Sequence, residues 1–332
     1  MKKVFITGGA GYAGSRLVED LVNNNYDITI YDTLYFGKSH LDHLKDKVEI
    51  IKGDIRDTKL ISNSLNEHEI FIHLACISND ASFVLNEELS KSVNLDAFEP
   101  MVIAAKDKGI KRFIYASTSS VYGVSDKKNV REDHPLIPLT LYNKFKGMCE
   151  PLLFKHTNKN FTGVVFRPAT VCGYSSRQRL DVSVNILTNF AVNKNKIVVF
   201  GGKQMRPNLN ILDYVSVVKL LMNSDDNLIA DEIFNVGYQN LTIGEIAQLV
   251  KKVVEKQYDN KKIDIEYQES DDNRSYHINS DKIKNKLKFE PKHTIEEAII
   301  ELCDAFKKNK LPNSFDNDEY FNVKRMQNLN VT

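Results

Sequence analysis

The sequence has little of what marks a disulfide-stapled or metal-binding protein. Its 332 residues include no tryptophan and only four cysteines, which are scattered without the C-x-x-C spacing of a zinc site or a redox motif. We therefore expect reduced, buried thiols in a reducing compartment, the cytoplasm, and no metal site. His73 and Cys76 are close in the chain, but they end an apolar run and have no partner motif.

Neither the net charge nor the hydropathy of the chain indicates that it binds nucleic acid or a membrane. The 45 basic and 44 acidic side chains give a formal net charge of +1, which offers no electrostatic reason to bind nucleic acid or a membrane surface. No apolar run approaches membrane-spanning length, and the chain enters a strand pattern directly instead of a signal peptide. A composition of 42% hydrophobic and 27% charged residues is typical of a globular protein with a large core.

The most informative stretch lies near the start of the chain. An apolar run at residues 4–6 is followed by Thr7-Gly8-Gly9-Ala10-Gly11-Tyr12-Ala13-Gly14 and then by an amphipathic run. This order predicts a strand, a tight glycine turn and a helix whose N-terminus binds a pyrophosphate. Gly11 lets the backbone approach the phosphates, and Gly14 lets the helix pack against the strand. The stretch therefore predicts dinucleotide binding.

Acidic residues follow the next two predicted strands. Asp32 ends the strand at 28–31, where a carboxylate suits the ribose hydroxyls of NAD and repels the extra phosphate of NADP. Asp54 and Ile55 follow the strand at 48–53, where they are placed to contact adenine. The alternative for Asp54 and Asp57 is capping of the following helix.

Apolar patterning predicts an alternation of strands and helices through the first half of the chain. Further strands are expected at 70–75, 112–116 and 161–167, with helices at 87–108 and 142–155, the second kinked or ended by Pro151. The alternation predicts an α/β protein with a Rossmann-type doubly wound parallel sheet. We expect a dinucleotide-binding domain at 1–167, joined by part of 207–240, and a smaller C-terminal substrate-binding α/β domain at 168–332. The tail from 311 is polar and weakly patterned.

Tyr142 and Lys146 are four residues apart and share one face of a predicted helix. An ammonium near a phenol stabilises the phenolate, so this spacing makes a tyrosine usable as a base. The alternative is a solvated pair on a surface helix. The hydroxyl-rich stretch 117–123, which ends the preceding strand, and the upstream glycine turn favour the functional interpretation.

In this order the motifs resemble those of the extended short-chain dehydrogenase/reductase family, specifically its nucleotide-sugar epimerases and dehydratases. The stretches that carry the resemblance are 7–14, Gly53-Asp54, His73-Leu74-Ala75, Val93-Asn94, 117–123, Tyr142-x-x-x-Lys146, Arg167-Pro168-Ala169 and Asn235-Val236-Gly237. The resemblance implies NAD as the cofactor, Tyr142 as the catalytic acid/base and Lys146 as its tuning cation and ligand of the nicotinamide ribose. It also implies that Thr118 hydrogen-bonds the reacting hydroxyl.

Further site residues follow from the same resemblance. The cofactor-binding residues it implies are Gly8, Gly11, Tyr12, Ala13, Gly14, Asp32, Asp54, Ile55, Leu74, Ala75, Tyr142, Lys146 and Arg167. The substrate-binding residues it implies are Thr118, Ser119, Asn185, Arg206 and Arg274. Arg206 and Arg274 would grip a diphosphate with their planar guanidinium groups. For Arg177 and Arg179, surface solubility remains the alternative to a binding role.

The resemblance implies reversible oxidation of a sugar hydroxyl at carbon 4 of a UDP-, GDP- or dTDP-linked sugar, and hence an epimerase. A 4-dehydrogenase or ketoreductase is the alternative, since residues 167–181 with Asn185 resemble GDP-heptose 4-dehydrogenases. A non-catalytic NAD-binding sensor is a further alternative, although such proteins typically lose the Tyr/Lys pair. Dehydration is disfavoured because Ser119-Ser120 replaces the Asp-Glu pair of the dehydratases. A homodimer through the helices at 87–108 and 142–155 is also implied.

Overall fold

The computed structural model describes residues 1–125, 127, 129–259, 261–270, 275 and 277–331. The strands are β1 (Lys3–Thr7), β2 (Asp27–Asp32), β3 (Val48–Lys52), β4 (Ile70–His73), β5 (Arg112–Ala116), β6 (Thr162–Pro168), β7 (Thr170–Cys172), β8 (Lys196–Phe200), β9 (Met205–Asn210), β10 (Glu232–Val236), β11 (Gln239–Thr242) and β12 (Asp264–Gln268). The helices are α1 (Tyr12–Asn23), α2 (Thr58–Ser64), α3 (Asp80–Phe83), α4 (Glu87–Lys91), α5 (Phe98–Asp107), α6 (Leu141–Phe154), α7 (Ser183–Lys194), α8 (Ile211–Asn223), α9 (Asp226–Ile229), α10 (Ile243–Gln257), α11 (Asp281–Leu287), α12 (Ile295–Lys307) and α13 (Asn322–Leu329). No helix in these ranges is long and apolar enough to cross a bilayer.

Seven strands form one parallel sheet in the order β10-β6-β5-β4-β1-β2-β3. The central strand β1 pairs with β2 on one side and with β4 on the other, so that Phe5 lies opposite Thr29 and Phe71. The strand order reverses at this point, and a crevice opens there at the carboxyl ends of the strands. The topology confirms the predicted doubly wound, Rossmann-type sheet.

Helices cover both faces of the sheet, with α1 and α8 together on one side and α2, α5 and α6 on the other. Successive residues of a strand point to opposite faces, so Ile6 packs under the first layer while Phe5 packs under the second. Phe71 stacks on Phe113 in that second layer, with ring centroids 4.8 Å apart. Burial on both faces explains why these strands are apolar throughout.

The C-terminal part builds a separate apolar layer from three helices and two small sheets. The sheets have the orders β11-β9-β7 and β12-β8. Helices α7, α10 and α12 pack on one another around Val184, Val250 and Ile299. Both α10 and α12 begin with a capping box, in which a threonine at the N-cap and a glutamate three residues later satisfy each other's backbone N–H groups.

Two helix predictions need correction. The single helix expected at 87–108 is broken into α4, a wide π turn at Ser92–Asp96 and α5. Asn94 in this turn points inward, and its amide bonds both backbone groups of Ile77 at 2.8 and 2.9 Å. Pro100 in the first turn of α5 has no N–H to continue the preceding hydrogen-bond ladder. Conversely, Pro151 does not end α6, which continues to Phe154.

The polar tail from residue 311 packs against the rest of the chain. It forms a short turn at Asp318–Tyr320 and then α13. Leu311 packs in a cluster with Leu180, and Met326 packs in another with Ile77. Residues of the tail therefore pack in two separate apolar clusters of the chain.

Candidate active site

A cleft of about 1060 Å³ lies between the carboxyl edge of the parallel sheet and the C-terminal layer. One wall contains the glycine turn and residues following β2, β3, β4 and β5. The opposite wall contains side chains from α7, β8 and β9. Pockets for one drug-sized ligand hold about 300–1000 Å³, so this cleft is large enough for a dinucleotide and part of a second ligand.

The glycine turn fits a pyrophosphate for steric reasons. A Cβ atom on Gly14 would lie 2.2 Å from the carbonyl oxygen of Gly8, so only glycine lets α1 approach the turn this closely. Gly8 itself has φ = 75°, which a residue with a side chain rarely adopts. Gly11 caps α1 without a side-chain hydrogen bond, so the first N–H groups of the helix are left beside the cleft. Such groups are the usual ligands of phosphate oxygens.

Asp32 lies in the wall of the cleft at the end of β2. Its two carboxylate oxygens accept hydrogen bonds from the N–H groups of Ala10 at 3.0 Å and Leu34 at 2.9 Å. Burial raises the pKa of this carboxyl group, while the two hydrogen bonds and the charge of Arg177 act in the opposite direction. The carboxylate is thereby fixed next to the glycine turn, where the ribose hydroxyls of NAD are expected.

Asp54 and Asp57 follow β3, and the sequence left open whether each contacts adenine or caps a helix. Asp57 caps α2 by accepting a hydrogen bond from Leu60 N at 2.9 Å. Asp54 lines the cleft with the buried Ile55, in the place expected for adenine contacts. Burial acts to raise the pKa of Asp54, but hydrogen bonds from Arg56 outweigh it and lower the pKa overall.

The three residues predicted to be catalytic meet in the cleft. Tyr142 and Lys146 lie in the first half of α6, and Thr118 follows β5. Lys146 is buried, and its Nζ donates a hydrogen bond to the carbonyl of Ala116 at 2.5 Å and lies 4.5 Å from the centroid of the Tyr115 ring. The end of β5 thus orients the ammonium group beside Thr118.

Several neighbours set the pKa of Tyr142. Burial raises the pKa of the phenol well above its usual value, and nearby Cys76 and Asp80 raise it further. The charge of Arg179 acts in the opposite direction and favours the phenolate. The ammonium of Lys146 is bonded to the strand end, and its lowering of the Tyr142 pKa stays a prediction.

Arg167, which the resemblance implied as a cofactor ligand, is not among the residues that line the cleft. Its guanidinium is buried and donates to both carboxylate oxygens of Glu150, at 2.9 and 2.6 Å, and to the hydroxyl of Tyr122 at 2.6 Å. Ser117, which does line the cleft, donates to the same Glu150 at 2.6 Å. Arg167 therefore ties β6 to α6 beneath the catalytic residues.

Two predicted substrate residues also lie behind the cleft wall. Ser119 is buried in the turn after β5, and its neighbour Ser120 faces the cleft instead. Asn185 is buried at the start of α7, where it accepts from Gly173 N at 3.0 Å and donates to the Tyr12 hydroxyl at 3.1 Å. Asn185 therefore holds neighbouring backbone in place, and neither residue lines the cleft.

The two arginines expected on the diphosphate have different outcomes. Arg206 lines the cleft on β9, in the wall opposite the glycine turn. Arg274 lies outside the described residues. The remaining predicted cofactor residues, which are Tyr12, Ala13, Leu74 and Ala75, all line the cleft.

Comparison with known proteins identifies the family. A model of the NAD-dependent epimerase/dehydratase family matches residues 4–237. The chain belongs to this family. Its members are extended short-chain dehydrogenases/reductases, and NAD is the cofactor that the glycine turn and Asp32 are built to hold.

Three relatives illustrate the range of the family. The UDP-glucose 4-epimerase of Lactobacillus helveticus is 28% identical over 90% of this chain and 94% of its own length. A UDP-N-acetyl-alpha-D-glucosaminuronate decarboxylase of Bacillus cytotoxicus is 30% identical over 74% of this chain and 78% of its own. The crystal structure of the UDP-glucose 4-epimerase of Thermotoga maritima with UDP-glucose superposes with a TM-score of 0.82, at 26% identity over 92% of this chain and 99% of that one.

Three cleft residues were not assigned to the site from the family motifs. Arg177 and Arg179 are not surface residues: both line the cleft, and Arg179 pairs with Asp181 at 2.8 Å. The signal for them was the R-x-R-x-D pattern between a predicted strand and a predicted helix. Asn322 of α13 also lines the cleft, and nothing in the polar tail pointed to it.

Proposed function

We propose that this enzyme is a nucleotide-sugar 4-epimerase, which oxidises the hydroxyl at carbon 4 transiently and reduces the ketone again. The observation that carries the proposal is that Tyr142, Lys146 and Thr118 meet in one cleft beside the glycine turn. Oxidation of an alcohol requires a base for the hydroxyl proton and an acceptor for the hydride. Tyr142 can act as the base, Lys146 and Thr118 provide a cation and a hydroxyl beside it, and the neighbouring dinucleotide site provides the acceptor.

Bound NAD supplies the hydride acceptor, which amino-acid side chains lack. Tyr142, whose phenolate Arg179 favours against the effect of burial, takes the proton from the sugar hydroxyl, and the Thr118 hydroxyl hydrogen-bonds the same oxygen. Lys146 would hold the hydroxyls of the nicotinamide ribose. For epimerisation the keto sugar turns over within the cleft, so that carbon 4 takes the hydride back on its other face while Tyr142 returns the proton to the oxygen.

The wall opposite the glycine turn supports a sugar nucleotide as the substrate. Arg206 lines that wall, and a planar guanidinium group suits a diphosphate. The two 4-epimerase relatives, one of them solved with UDP-glucose, favour a UDP-sugar. Thr118 is followed by two serines, of which Ser120 faces the cleft, so no carboxylic acid stands there to remove water from the sugar.

We also propose a homodimer through α5 and α6, which pack side by side. Ile103 on α5 is 40% exposed and Met148 on α6 is 43% exposed, although both are large apolar residues. Introducing glutamate at both positions is expected to convert a dimer to a monomer in analytical ultracentrifugation. A chain that sediments as a monomer before the change would overturn this assignment.

The catalytic assignment is tested with Tyr142→Phe, using Tyr238→Phe at an exposed tyrosine outside the cleft lining as the matched control. We expect the first variant to bind NADH as the unaltered enzyme does and to lose at least about 10²-fold in turnover of UDP-glucose to UDP-galactose, since general acid–base catalysis contributes about 10²–10⁴-fold. The control should keep full activity. Unchanged turnover in Tyr142→Phe would overturn the role of Tyr142, and absence of turnover in the unaltered protein would favour a sensor. Steady release of NADH with a keto sugar would favour the 4-dehydrogenase.

A further inference from the structure

Arg177 is a buried cation that lacks a counter-ion within the described residues. Its side chain is 5% exposed, and its guanidinium carbon lies 3.6 Å from the centroid of the Phe36 ring. Among the described residues, its side chain makes one hydrogen bond, from Nη2 to Oδ1 of Asn322 at 2.8 Å. Its Nε atom is buried without a partner there. A charge buried in this way is costly unless it is paired.

The charges around Arg177 do not fully compensate the burial of its guanidinium group. Burial, with the neighbouring charge of Arg179, lowers the pKa of Arg177 to about 9. The carboxylates of Asp181, Asp32 and Glu319 act on Arg177 in the opposite direction. None of them lies within 4 Å, the ion-pair distance, of its guanidinium. An anion brought by a ligand would complete the balance.

Arg177 lies close to the N-terminus of α1. The segment before it is held on the first turn of α1, because Ser175 donates to the carbonyl of Tyr12 at 2.8 Å and exchanges a hydrogen bond with Ser15 at 2.8 Å. The backbone N–H of Arg177 also donates to Ser15 Oγ, at 3.4 Å. The N-terminus of α1 is the phosphate-binding end of the glycine turn. Arg177 therefore lies on the adenosine side of the cleft, whereas Arg206 on β9 lies in the opposite wall.

We propose that Arg177 is a cofactor-binding residue whose guanidinium pairs with the pyrophosphate of NAD, with Asn322 as its positioning residue. The planar fork of arginine suits a diphosphate, and a charge-assisted bond in a buried site is strong. The proposal depends on NAD binding by this family and is independent of which sugar reaction follows.

Asn322 is well placed to hold Arg177. Its side-chain amide donates to Ser78 Oγ at 2.7 Å while its Oδ1 accepts from Arg177, and its backbone N–H donates to Asp181 at 2.9 Å. Arg325, one turn later on α13, donates to the carbonyl of Tyr35 at 2.7 Å. The C-terminal helix is thus fixed to loops on both sides of the cleft, and binding of the pyrophosphate should tighten it.

The test is displacement of NADH, followed by its fluorescence, from the full-length chain after exhaustive dialysis. The competing ligands are ADP-ribose, adenosine, UDP and NADP. The variants are Arg177→Gln, Arg177→Lys and Asn322→Ala, with Arg131→Gln at an exposed arginine as the control. Circular dichroism establishes that each variant is folded, and Asn322→Ala with Arg177→Lys carries the test if Arg177→Gln does not fold.

We expect Arg177→Gln to weaken ADP-ribose and NADH by about 10- to 100-fold, as loss of a hydrogen-bonded charge pair would. Adenosine and UDP should be unchanged, Arg177→Lys should recover part of the loss, and Asn322→Ala should show the same ligand pattern with a smaller loss. The proposal would be overturned if Arg177→Gln bound ADP-ribose as tightly as the unaltered enzyme, lost as much affinity for adenosine as for ADP-ribose, or lost affinity for UDP alone. Tighter binding of NADP than of NADH by the unaltered enzyme would also overturn it. A loss of sugar turnover with normal NADH binding would concern the proposed function alone.

Discussion

Replacing Glu150 by leucine leaves the guanidinium of Arg167 buried without its counter-charge. Both side chains are 2% exposed, and the change removes two hydrogen bonds from Arg167 and one from Ser117. Breaking a buried pair by removing one partner costs about 3–5 kcal/mol. This is a large part of the roughly 5–15 kcal/mol by which domains are stable. We therefore expect Glu150→Leu to lower the free energy of unfolding by about 3–5 kcal/mol.

The assay is urea unfolding followed by circular dichroism, with the exposed pair Lys91–Asp96 as the comparison. Asp96→Asn should change the free energy of unfolding by less than about 1 kcal/mol, because surface pairs contribute little. The double variant Glu150→Leu/Arg167→Met should recover most of the loss, since an apolar pair of similar volume replaces the ionic one. A loss below about 1 kcal/mol in Glu150→Leu, or a double variant as unstable as the single one, would refute the assignment of Arg167 to the core.

Three further predictions concern the cleft. Gly14→Ala places a methyl group 2.2 Å from a backbone oxygen and should destabilise the protein by about 1–3 kcal/mol while weakening NADH binding, as fluorescence titration would show. Burial lowers the pKa of His40 to about 4, so its contribution to stability is complete above about pH 6.5 and is lost as the pH falls towards 4. The melting temperature of His40→Gln should therefore depend less on pH in that window, and an equal pH dependence in the variant and the unaltered protein would refute this. Because Arg179 favours the Tyr142 phenolate, Arg179→Gln should move the rising limb of the pH–rate profile to higher pH, and an unmoved limb would contradict this role.

The sequence was informative where function depends on spacing along one stretch of chain. The glycine turn, Asp32 and the Tyr142/Lys146 pair could be predicted because each is encoded within a strand end or a single helix turn. The alternation of apolar runs was likewise enough to predict the parallel sheet and therefore the edge at which these residues meet.

The features that could not be predicted are contacts between side chains that are far apart in the sequence. A motif identifies Arg167 by its place at the end of a strand, but its burial is decided by Glu150 on α6, whose side chain it bonds. Arg177 and Asn322 are bonded across 145 positions of sequence, and the spacing of apolar residues in α13 does not show which part of the chain the helix packs against. The pKa of Tyr142 likewise depends on burial by several elements and not on the helical spacing of Lys146 alone.

Transient oxidation at carbon 4 within one active site can be tested with UDP-glucose that carries deuterium at carbon 4. We expect UDP-galactose that keeps the deuterium at carbon 4 of the same molecule, with no accumulation of NADH. Net NADH with a keto sugar, or deuterium lost to water, would contradict it.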